Sequence, residues 1–108
     1  MKGVVYIMTL ANAFSLQMVQ SFPVSILVEE VTPQFVAENV TSSAIGHQDT
    51  AAVLSSCLGV EIKVNRTNIS IKSGDVILVA QLIGGRLPEG TTSLPAGFKF
   101  KFLKVTVG

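Results

Sequence analysis

Charge is scarce in this 108-residue chain: acidic and basic residues make up 14% of it and nearly cancel, to a formal net charge of +1. That excludes a broad basic footprint for duplex DNA or RNA, whose phosphates are met by clustered lysine and arginine. Any anion it binds must be small and met by a few chosen groups. Cysteine is scarcer still. The single Cys57 has no internal disulfide partner, and it follows apolar helical positions, so it is expected in the core. No CxxC, no HExxH and no cluster of histidine and acids offers a metal site, and no metal or other cofactor is expected. No apolar run approaches the ~20 residues of a membrane-spanning helix.

What is plentiful is apolar: 48% of the residues are hydrophobic. A chain of this length and composition forms one domain with a real core and needs no disulfides. Low charge beside so much apolar surface also points to a second copy covering part of it. The opening "MKGVVYIMTLANAFS" imitates a secretory signal with its cleavage site, and sequons at Asn39, Asn65 and Asn68 agree with that. The apolar run Val4 to Leu10 is short for a signal, however, and suits a buried first strand.

After that strand, "ANAFSLQMVQSFP" reads as a loop or short helical turn closed by Pro23. Val24 to Val31 is β-branched enough for a second strand. Thr32 before Pro33 is a good N-cap and first-turn pair, so a short helix follows. Apolar residues from Ala44 to Leu58 make a helical face, starting near Gly46 or His47 and stopped by Gly59. "VEIKVN" and "TNISIK" are short strand candidates, and "SGD" turns the chain into "VILVAQL", a run typical of a central strand. A long loop rich in glycine and proline leads to "FKFKFLKVTV", a last strand whose alternation predicts one wet face. The order predicts a single α/β domain over residues 1–108, built on a mixed sheet.

Four places could carry chemistry. His47, the only histidine, stands at the mouth of a helix, where free N–H groups can receive a phosphate. A phosphate held there favours the protonated imidazole, the form a general acid needs. In "GGRLPEG", Arg86 and Glu89 flank Pro88: an arginine fork for phosphate oriented by a carboxylate, or a plain surface loop. Arg66 in "NRTN" has amides on both sides, a set able to read a nucleotide or merely solvated. Asn12 ends the first strand, a common binding position in α/β sheets and equally a common turn residue. Spacing alone leads to a small α/β domain that binds a phosphorylated ligand.

Taken together, "LANAFSLQM", "TSSAIGHQDTAAVLSSCLGV", "NRTN", "GDVILVAQL" and "RLPEG" resemble, in this order from about Val4 to Val107, a family of viral and mobile-element ring nucleases. These act as anti-CRISPR proteins against type III systems by degrading cyclic tetra-adenylate. The resemblance implies a two-fold homodimer with a roughly five-stranded mixed sheet, helices packed against it, and one ring bound across the axis. It implies a location in the host cytoplasm, with no membrane and no duplex nucleic acid as partner. It makes His47 the general acid, with Arg86 and Glu89 beside it, and Asn12, Gln17, Arg66 and Gln81 as substrate contacts.

Two positions depart from the archaeal viral pattern. Gln17 stands where that pattern has an asparagine, and "LIGG" between Gln81 and Arg86 is one residue longer. The implied activity is metal-independent cleavage to linear di-adenylate with 2′,3′-cyclic phosphate ends. The same pocket would also serve a sponge that binds cyclic nucleotides without cutting, and a regulatory viral dimer is the third reading.

Overall fold

The computed structural model describes residues 8–108. Five strands form one mixed sheet. β1 is Thr9–Ala11, β2 Ile26–Val31, β3 Ser42–Ser43, β4 Val76–Ile83 and β5 Lys99–Val107, set side by side in the order β2-β5-β4-β1-β3. β1 runs parallel to both β3 and β4, while β5 runs antiparallel to β2 and β4. The α/β reading with a mixed five-stranded sheet and helices against it therefore holds. The part of the expected first strand from Val4 to Ile7 lies outside the described residues.

Two helices lie between the strands in sequence, α1 at Pro33–Asn39 and α2 at Gln48–Leu58. Thr32 caps α1 as its residue type predicts, its hydroxyl accepting from the Phe35 N–H at 3.0 Å. Gly59 closes α2 in the left-handed region, at φ 73°, where a side chain would be strained. Val36 of α1 and Ala51, Leu54 and Leu58 of α2 pack with Leu10, Leu78, Ala80 and Phe102, so both helices cover the same face of the sheet. The opposite face carries a second core of Ala11, Ile77, Val79, Val105 and Val107, covered by Phe14, Met18, Ile69 and Ile71 from the connecting segments. Burial of each such aliphatic side chain stabilises the fold by roughly 1.5–3 kcal/mol.

Three expectations fail, each for a tertiary reason. β5 lies between two strands, and it buries Phe102 on the helix face and Val105 and Val107 on the other, so it has no wet face along its full length. Cys57 is exposed instead of buried, because it lies off the Ala51–Leu54–Leu58 stripe in the last turn of α2. "VEIKVN" and "TNISIK" form no strands; Ile71 alone bridges to Val19. The first of these segments is pinned by side chains instead. Ser55 Oγ donates to Ala51 C=O and accepts the Ile62 N–H, both at 2.8 Å, and Asn65 donates its N–H to Ile45 C=O at 2.8 Å.

Candidate functional site

The parallel strands β1, β3 and β4 all end on one edge of the molecule, and their exits carry candidate residues. In open α/β sheets, ligands commonly settle outside the carboxyl ends of the strands, where the chain order changes direction. β1 leads into Asn12, β3 into Gly46 and His47, and β4 into the loop that holds Arg86.

His47 is the N-cap of α2. Its backbone is extended, and its Nδ1 accepts the Asp49 N–H at 3.2 Å. In the neutral ring that bond leaves the hydrogen on Nε2, across the imidazole from the helix. The side chain is exposed. Arg66 reaches the same place from the pinned segment. Asn65 Nδ2 donates to Ser43 C=O at 2.8 Å, and its N–H is held by Ile45, so the residue before Arg66 is tied to the β3 exit. Gly46 lies against the Arg66 stem: a Cβ added there would stand 3.5 Å from Arg66 Cβ and Cγ. That is ordinary contact distance, so the glycine is not required for lack of space.

The loop after β4 completes the set. Gly84 turns at φ 121° so close to the following strand that a Cβ would fall 2.7 Å from the Gly97 carbonyl oxygen. Only glycine fits there. Beyond it, Pro88 C=O accepts from Thr91, through its N–H at 3.3 Å and its hydroxyl. Gly90 donates its N–H to Asp49 Oδ2 at 2.8 Å, tying the loop to the first turn of α2.

The result is an open cleft of about 810 Å³ lined by His47, Arg66, Arg86 and Glu89, with Val64 and Leu87 as its apolar surfaces. Its size is that of an ordinary small-molecule site. The expected Arg86–Glu89 ion pair is not formed: among the described residues the one ion pair is Lys72–Asp75, at 3.7 Å. Both arginines are therefore available to an anion.

Asn12 and Gln17 line a second hollow of about 550 Å³, together with Ala44, Thr67 and Asn68. The two hollows adjoin through consecutive residues, since Arg66 lines one and Thr67 the other. Gln81 lines neither. It is exposed opposite Lys101 on the face away from the helices, the face to which the neighbouring Val79 contributes. Sequence reasoning missed Asp49 and the tether made by Asn65. Asp49 two residues after a helix-capping histidine was visible, but its contact with Gly90 was not.

Comparison with known proteins places the fold. The model of the STIV B116-like family matches residues 8–99. The chain belongs to the STIV B116-like family. Among solved structures it is similar to B116 of Sulfolobus turreted icosahedral virus, with a TM-score of 0.76 and 24% identity, covering 93% of this chain and 98% of that one. At that identity the likeness to B116 is one of fold. Among curated protein sequences no relative matches. The B116-like match spans β1 to the start of β5, and so includes His47, Arg66, Arg86 and Glu89. Among the described residues no helix is long and apolar enough to cross a membrane.

Proposed function

We propose that this chain is a viral or mobile-element ring nuclease that cleaves cyclic tetra-adenylate without a metal ion and so opposes or tunes type III CRISPR signalling in the host cytoplasm. One observation carries the reading: the only histidine faces the same cleft as two unpaired arginines. The resemblance of the sequence motifs supplies the substrate.

The chemistry is that of RNA cleaving itself. The ribose 2′-oxygen gives up its proton and bonds to the adjacent phosphorus, and the bond from phosphorus to the 5′-oxygen breaks in line. The products are a 2′,3′-cyclic phosphate and a 5′-hydroxyl. His47 Nε2 donates the proton to the departing 5′-oxygen. The ring that donates carries a proton on both nitrogens, so the cap bond from Asp49 to Nδ1 belongs to the free protein. Arg86 and Arg66 stabilise the extra negative charge on the phosphorane. With no ion pair to Arg86, Glu89 is free to assist removal of the 2′-proton. Asn12 and Gln17 in the adjoining hollow hold ribose or adenine; Gln81 lines neither hollow and has no part in this reading.

A cyclic tetranucleotide has two-fold symmetry, and a two-fold homodimer offers it the same site twice. Two cuts on opposite sides then give linear di-adenylate. Purified protein incubated in EDTA with excess cyclic tetra-adenylate tests the proposal. Multiple turnovers to di-adenylate with 2′,3′-cyclic ends, lost in His47→Ala, are expected. Tight binding without conversion would make the protein a sponge, and neither binding nor conversion would remove the ligand assignment.

A further inference from the structure

Two carboxylates line the cleft proposed for phosphates, and one of them, Asp49, has no part in the proposed chemistry although it stands beside His47, Arg66 and Arg86. Its negative charge opposes an anionic ligand at the point where two arginines attract it. An acidic residue in the first turn of a helix is common and favourable in itself, through the helix dipole. That role needs no distant partner. Asp49 has one: its Oδ2 accepts the N–H of Gly90, a residue 41 positions away, at 2.8 Å. Its own N–H meanwhile donates to His47 Nδ1 at 3.2 Å. One residue thus touches both halves of the cleft, the capping histidine by its backbone and the arginine loop by its side chain.

We infer that Asp49 is a positioning residue that holds the Arg86–Glu89 loop in register with His47. The argument rests on the proposed ring-nuclease reading for its kinetic consequences and on the geometry alone for the tether. The loop has little else to fix it. Gly84, Gly85 and Gly90 all have positive φ, and the bonds within Pro88–Thr91 shape the turn without attaching it to the rest of the protein. The Asp49–Gly90 bond supplies that attachment. Arg86 precedes Gly90 by four residues, so the bond limits where the loop can carry Arg86 relative to His47. In-line displacement is sensitive to such placement, and a shift of about 1 Å can cost about a hundredfold.

The two functions of the carboxylate, acceptor and charge, separate by substitution. Asp49→Asn keeps an oxygen that can accept from Gly90 and removes the charge. Asp49→Ala removes both. The measurement is steady-state cleavage of cyclic tetra-adenylate by the full chain, with hydrogen exchange at the Gly90 amide followed in parallel. The expected result is a fall in kcat of about tenfold or more for Asp49→Ala. KM changes little, and Gly90 exchange becomes faster. Asp49→Asn retains kcat and slow Gly90 exchange, and its KM falls because the repulsion is gone.

Wild-type turnover by Asp49→Ala overturns the inference. So does equal loss of kcat in both variants with Gly90 still protected, which would assign the effect to charge. If the wild-type chain does not turn the ring over, the function proposed above fails on its own. Gly90 exchange then decides the tether: faster exchange in Asp49→Ala upholds it, and unchanged exchange overturns it.

Discussion

His47 has two duties, and they can be tested apart. As the N-cap of α2 it satisfies an N–H that would otherwise be free, and in the proposed reaction it supplies a transferable proton. Asparagine caps helices well but cannot act as the acid. His47→Asn is therefore expected to melt within a few degrees of wild type and to have no turnover. His47→Ala should lose about 1 kcal/mol of stability as well, which thermal unfolding of the two variants will separate. Cys57 makes a different prediction. Partial desolvation pushes its thiol up from the usual value, so the folded state favours the neutral form. The stabilisation it contributes is complete below the unfolded thiol pKa and is lost as pH rises through the folded one. Cys57→Ser should flatten that part of the stability profile at alkaline pH. Alkylation of the native thiol at neutral pH should be slower than that of a free thiol, despite its exposure.

Among the elements, the stretch from Val60 to Arg66 is the most instructive. Alternating apolar residues make "VEIKVN" look like a strand, but it forms no ladder with β3, the edge strand beside it, and meets its exit only through Asn65. Ser55, Ile45 and Ser43 take its hydrogen bonds instead. A serine inside a helix gives no hint that it holds a chain seven residues ahead. Ser55→Ala is expected to leave the buried Ile62 N–H unpaired and cost about 1–2 kcal/mol, with ring binding weakened as Arg66 loosens; denaturant unfolding and a binding titration will read both. The loop after β4 depends on backbone shape. Gly84→Ala meets the Gly97 carbonyl at 2.7 Å, so a loss of roughly 1–3 kcal/mol is expected, visible as a lower midpoint of unfolding.

At the scale of the molecule, the apolar surplus has not all been buried. Leu27 and Val28 of β2 are 57% and 51% exposed, and Phe22 and Leu16 are 67% and 62% exposed. Such residues on the sheet's outer strand and the loop before it suit contact with a second chain. Sedimentation should give twice the chain mass at micromolar concentration. A monomer there would leave the proposed two-fold ring site without its second half. Binding of the ring, met by arginines in an otherwise neutral protein, should weaken as salt rises, on the order of tenfold across a tenfold change in salt concentration.

The amino-acid sequence by itself determined the caps, the helices and the central strands. Thr32 with Pro33, Gly59, and the continuous run from Val76 act through bonds and sterics within a few residues of themselves, so their outcome is readable locally. It also marked His47, Arg66, Arg86 and Glu89 as candidates, His47 by its place at the mouth of a helix and the others by the motifs around them. Only the tertiary structure decided that these four share one cleft while Gln81 stands on the other face of the sheet. Only it decided that Cys57 is exposed, that two apparent strands remain unpaired, and that Asp49 holds Gly90. Each of these depends on which edge or face a distant segment covers. The strand order β2-β5-β4-β1-β3 sets that, and no local pattern records it.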